Sequence, residues 1–184
     1  IRITGIDRPG LTASITEILS RYDVTILDIG QADIHQTLSL GILFKSKETE
    51  SGNIMKELLF KASELGVNIR FYPISVEEYE NWVSMQGKNR YIITILGRRL
   101  TAKQISAATK IIAEQGLNID SIKRLTGRVP LDEEKASVRS CIEFSVRGTP
   151  KNKVEMQRSL MKLSSEMGMD FSLQLDNMYR RMRR

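Results

Sequence analysis

Several segments of this chain occur twice, and that repeat limits what it can fold into. Leu11-Thr12-Ala13 returns as Leu100-Thr101-Ala102, and Val24-Thr25-Ile26 returns as Leu117-Asn118-Ile119. Glu64-Leu65-Gly66-Val67-Asn68-Ile69 returns as Glu166-Met167-Gly168-Met169-Asp170-Phe171. Between the first and second of these matches the spacing grows by about one helical turn. So long a period means duplicated domains rather than a solenoid of short repeats. The 184 residues allow one or two domains.

Hydrophobic periodicity fills in each copy. Residues 1–6 predict a strand. Leu11, Ile15, Ile18, Leu19 and Tyr22 form a helical stripe over 11–22. A strand follows over 24–35, and its apolar phase switches between Ile26 and Leu27, which predicts a β-bulge. Gln36-Thr37 predicts a tight turn. Leu38, Leu40, Ile42 and Phe44 alternate as in a half-buried strand. After a polar loop over 45–52, a helix is expected over 53–65, closed by Gly66, and then a strand over 67–75. The order β-α-β-β-α-β is the ferredoxin-like unit, so the fold class is α+β: antiparallel sheets with helices on one face.

The second copy predicts a strand over 90–96 and a helix from a Thr101/Gln104 capping box to Gly116. It continues with a strand over 117–125, a long loop containing Pro130, and an alternating strand over 136–147. A helix opened by Thr149-Pro150 and closed by Gly168 precedes a strand over 169–175. The expected limits are 1–76 for the first domain, 77–88 for an acidic linker helix carrying Trp82, 89–175 for the second domain and 176–184 for a basic tail.

Within this frame Gly5-Ile6-Asp7-Arg8-Pro9-Gly10-Leu11-Thr12 occupies the first strand–helix turn. Pro9 suits the first turn of a helix, and the glycines permit positive φ and close approach. A helix start leaves N–H groups unpaired and partly positive, so it can hold a carboxylate. Asp7 offers an acceptor for an ammonium, so a free amino acid would find a partner for each end. The alternative is that Asp7 merely caps the helix and the glycines merely make the turn. Aligning the two Leu-Thr-Ala segments sets Leu96 against Asp7, Arg98 against Pro9 and Arg99 against Gly10. The second copy keeps the fold without the loop, which argues for binding at the first.

Composition excludes other chemistry. The chain has one Cys and one His, so a disulfide framework and a Cys/His zinc site are ruled out within it, and no nucleophile–His set is available. Cys141 falls opposite the aliphatic stripe of its strand and reads as a small packed residue. A cytoplasmic setting, with no membrane contact, is expected from the single cysteine and the lack of any apolar run of spanning length. The net charge is +6, but 176–184, with four Arg and one Asp, supplies half of it. The strand 38–44 lacks stacking aromatics, so an RNA-binding ferredoxin-like module and a nucleic-acid partner are disfavoured.

A β-α-β-β-α-β unit with Gly-x-Asp-x-Pro-Gly-Leu-Thr at its first turn resembles the ACT domain, a regulatory amino-acid-binding module. Ile26-Leu27-Asp28-Ile29-Gly30-Gln31, Gly116-Leu117-Asn118-Ile119-Asp120 and Asp176-Asn177-Met178-Tyr179-Arg180-Arg181 extend the likeness. With them the whole chain resembles the N-terminal tandem ACT-domain regulatory region of a bacterial phosphoserine phosphatase. The resemblance implies that the tail leads into a Mg²⁺-dependent phosphatase domain opening with Asp-x-Asp. That spacing is missing here, so no catalytic residues and no cofactor are expected in this chain. It implies L-serine as effector, bound by Asp7, Arg8, Pro9, Gly10, Leu11 and Thr12, with Asp28, Gly30 and Gln31 as strand partners. It also implies a homodimer formed through ACT sheets or helices. A structural pairing module without ligand is the other expectation.

Overall fold

A computed structural model of the chain describes residues 1–85, 89–98, 100–126 and 139–176. The chain divides into two compact units, Ile1–Tyr79 and Glu80–Arg184. In the first, β1 (Arg2–Ile6), α1 (Leu11–Ser20), β2 (Thr25–Ile34), β3 (Thr37–Lys45), α2 (Glu48–Glu64) and β4 (Asn68–Arg70) follow in order. The sheet is antiparallel, with strand order β2-β3-β1-β4. Ile3, Leu38, Leu40 and Ile42 bury one sheet face beneath Leu11, Ile15 and Ile18 of α1 and Ile54, Leu58 and Ala62 of α2. This is the period-2 and period-3.6 patterning of the sequence meeting in one layer pair.

α3 (Val76–Met85) follows, with no buried residue. The second unit holds β5 (Arg90–Gly97), α4 (Ala102–Glu114), β6 (Asn118–Arg124), β7 (Ser140–Arg147), α5 (Lys153–Met167) and β8 (Asp170–Leu175). Its antiparallel sheet has the matching order β6-β7-β5-β8. Ile93, Ile95, Phe144 and Val146 meet Ala108, Ile112, Met156 and Leu160 in a separate core. The two four-stranded antiparallel sheets are the expected α+β duplication.

Several boundaries differ from expectation. The β2–β3 turn is His35-Gln36, one residue early, with His35 at φ 54°. α2 begins at Glu48 rather than 53, because Glu48 and Glu50 suit the positive end of a helix. β4 has only three residues, because it pairs with Arg2, Ile3 and Thr4 alone. α5 starts at Lys153 behind an Asn152 cap rather than at Thr149-Pro150. The linker helix starts at Val76, one residue inside the expected first domain. The bulge is where the phase switch put it, between Ile26 and Asp28. The loop around Pro130, Arg99, residues 86–88 and the tail from 177 lie outside the described residues.

The structure also realigns the repeat. Four residues separate β1 from α1, and four separate β5 from α4, with Gly10 and Thr101 as the N-caps. Asp7 is therefore equivalent to Arg98 and Pro9 to Leu100, not to Leu96 and Arg98. Leu11 is the first helical residue, whereas Leu100 precedes the cap. The Leu-Thr-Ala match is a local coincidence, two residues out of step with the folds.

Candidate functional site

The first strand–helix turn runs off β1 and is held at three points. Asp7 donates its backbone N–H to the Gln36 carbonyl at 2.7 Å, tying the turn to the β2–β3 hairpin. Arg8 donates from Nη2 to the Leu65 carbonyl at the end of α2. Ser14 N–H donates to the Gly10 carbonyl at 2.9 Å, closing the first turn of α1. Gly10 sits at φ 87°, where a Cβ would be strained. Nothing in the sequence marked Gln36 as an anchor. Leu65 could have been found, since the Gly66 stop exposes the last carbonyls of α2.

No side chain hydrogen-bonds into the N-terminus of α1. Asp7 is exposed and does not cap the helix, so the capping account of that residue fails. The second copy behaves differently. Thr101 accepts from Gln104 N–H while Gln104 Oε1 accepts from Thr101 N–H at 2.8 Å, a complete capping box. Asn152 caps α5 by accepting from Glu155 N–H at 3.0 Å. Of these three helix starts, the one beneath the Asp-Arg-Pro-Gly turn is left without a side-chain cap.

The nine candidate residues do not converge equally. Thr12 Oγ1 donates to Gln31 Oε1 at 2.7 Å, joining the first turn of α1 to β2. Gln31 can reach because it pairs with Leu40, whose side chain points to the helix layer. Asp28 and Gly30 pair with Leu43 and Gly41, so they lie on the opposite face of the sheet, away from the turn. Asp28 Oδ1 accepts from Ile29 N–H at 2.9 Å. Pro9 is exposed in the turn. The Leu11 side chain is buried in the core and offers a ligand only its backbone.

Gly5 has a plain structural reason. A Cβ there would stand 2.5 Å from Val67 Cγ1. Its absence of a side chain makes room for the chain entering β4, not for a ligand. Outside the turn, Tyr22 donates to Glu57 Oε1 at 2.5 Å, and that bond, with desolvation and the carboxylate charge, raises the phenol pKa. The Asp23 carboxylate raises the Lys47 pKa by hydrogen bonding to its ammonium. Among the described residues, no three His, Cys, Asp or Glu side chains gather as metal binding requires. None of the helices described is long and apolar enough to cross a membrane.

Comparison with known proteins places this architecture. Family models described as ACT domain match residues 1–72 and residues 90–174. A phosphoserine phosphatase of Mycobacterium tuberculosis is 28% identical over 127 residues, covering 68% of this chain and 30% of that protein. A phosphoserine phosphatase of Streptomyces coelicolor is 27% identical over 190 residues, covering 100% of this chain and 41% of that protein. The chain thus spans less than half the length of these relatives. The crystal structure of an unknown protein from Galdieria sulphuraria superposes with a TM-score of 0.66 at 17% identity, covering 95% of each chain, a likeness of fold alone. Two matched segments, each coinciding with a β-α-β-β-α-β unit, establish that the chain belongs to the ACT-domain family and carries two such domains in tandem.

Proposed function

We propose that this chain is the regulatory, amino-acid-sensing portion of a phosphoserine phosphatase, with L-serine as its effector. The observation that carries the reading is the uncapped start of α1 beneath an exposed Asp7. Free N–H groups and the positive helix end would receive the carboxylate of an amino acid, and Asp7 its ammonium. Thr12 and Gln31, already hydrogen-bonded to one another, would line the side-chain end. The second domain replaces Asp7 by Arg98 and caps its helix with Thr101, so it lacks the same arrangement. The names of the two phosphatase relatives supply the choice of serine, and the catalytic chemistry with its Mg²⁺ would reside outside the two ACT domains.

Calorimetric titration with L-serine, with glycine and D-serine as comparisons, tests this. Saturable binding of L-serine that Asp7→Ala abolishes is the expected result. No heat and no thermal stabilisation at up to about 10 mM, where mass action would still shift the melt, would sink it. A second reading, a pairing module without ligand, is favoured by one feature. β2 is an edge strand of ten residues whose outer rim is exposed almost throughout. Such an edge offers a ready template for a second copy. Sedimentation of the chain separates the two: a dimer indifferent to L-serine supports pairing alone.

A further inference from the structure

The second domain has its own feature where the first has the Asp7 turn. The last paired rung of β1 and β3 is Ile6 with Thr37, and the residues beyond it are Asp7 and Gln36. The last rung of β5 and β7 is Gly97 with Ser140, and beyond it stand Arg98 and Arg139. The sign of the charge at this sheet end is therefore reversed between the copies. Two like charges on neighbouring strands oppose one another unless an anion lies between them. One carboxylate is at hand: Asp170 contacts Arg139 at 3.7 Å, with both side chains well exposed. Arg98 makes no ion pair with any described residue.

These groups line a cavity of about 310 Å³, together with Gln104 and Gly168. That volume is at the lower end of small-ligand sites. In the first domain the end of α2 is latched by Arg8. In the second, the equivalent Met167 carbonyl accepts from Gln104 Nε2 at 3.2 Å. The amide thus does what a guanidinium does in the other copy. Arg98 and Arg139 both face the cavity, and neither is needed to hold the Met167 carbonyl; among the described residues Arg139 has only its exposed contact with Asp170.

We propose that this cavity is a binding site for a small oxyanion, a phosphate monoester or a carboxylate, held between the Arg98 and Arg139 guanidinium groups. Planar guanidinium forks match the oxygens of such groups in pairs. Asp170 competes for Arg139 and sets a limit on affinity. The site is independent of the amino-acid reading of the first domain and would survive its failure.

The test is titration of the 184-residue chain with inorganic phosphate, succinate and L-serine, followed by calorimetry and by backbone NMR shifts of residues 96–104 and 167–170. Phosphate or succinate is expected to bind, and which of the two binds tighter identifies the oxyanion. Arg98→Ala and Arg139→Ala should each weaken binding about tenfold or more. Asp170→Asn should tighten it, a gain that an unfolded variant would not produce. Added salt should weaken it, since the arginines are exposed. Absence of binding by both anions at about 10 mM, or binding unmoved by the arginine variants, overturns the proposal. Binding of L-serine, removed by Arg98→Ala, when neither phosphate nor succinate binds means that the ammonium is required as well and overturns a site for oxyanions alone. Loss of L-serine binding with Asp7→Ala bears only on the first domain.

Discussion

Gly5 shows how a single residue can be demanded by a contact far along the chain. With Val67 Cγ1 at 2.5 Å and its Cβ at 3.0 Å from the added carbon, Gly5→Ala forces β1 away from the entry to β4. The expected cost is about 1–3 kcal/mol of unfolding free energy in denaturant titration, as for overpacking elsewhere. Adding Val67→Ala should return part of that loss, because the nearest clashing atom goes. Tyr22 carries a pH dependence. Its hydrogen bond to Glu57 requires the protonated phenol, and the fold raises its pKa above 10.0. The contribution is therefore complete below the ordinary tyrosine range and is lost as pH rises through the raised value. Melting curves across alkaline pH should show wild-type stability falling more steeply there than that of Tyr22→Phe, and equal slopes would contradict the account. The sequence marked Gly5 as a site of close approach. It could not say that the neighbour is Val67, because the two residues meet only when β1 and β4 pair.

At the scale of elements, the helix starts separate a structural cap from a binding surface. Thr101→Ala breaks a complete capping box and should destabilise the second domain by about 1 kcal/mol, seen as a lower melting temperature. Asp7→Ala should leave the ligand-free melting temperature unchanged, since Asp7 caps nothing. A drop equal to that of Thr101→Ala would restore the capping account and remove the basis for amino-acid binding. The box was legible because Thr-x-x-Gln is a local signal. The start of α2 was not, because its N-cap, Lys47, makes no side-chain hydrogen bond into the helix. The Leu-Thr-Ala repeat misled by two residues, since a short identity can arise at a different point of the helical entry. The bulge at Leu27 was legible as a phase switch, and it fixes which face Gln31 takes.

At the scale of the molecule, each unit owns a core, and damage should stay local in the first instance. Phe144 is wholly buried among residues of the second cluster. Phe144→Ala should cost about 3–5 kcal/mol. Hydrogen exchange should show the loss of protection falling on amides of β5–β8 while those of β1 and β3 hold theirs. Equal loss across both sheets would mean that the two cores unfold as one. The sequence by itself determined the duplication, the order of strands and helices, the core faces, the glycine stops and the Thr101 cap. The duplication shows as the same local pattern met twice, and the rest is written in neighbours a few residues apart, where periodicity and cap chemistry act. Tertiary structure decided what lies between distant segments. It joined Thr12 to Gln31, sent Asp28 and Gly30 to the other face, latched Arg8 onto Leu65 and set Arg98 beside Arg139. Those outcomes depend on strand register and on which rung ends each sheet, and a shift of one residue reverses every facing side chain.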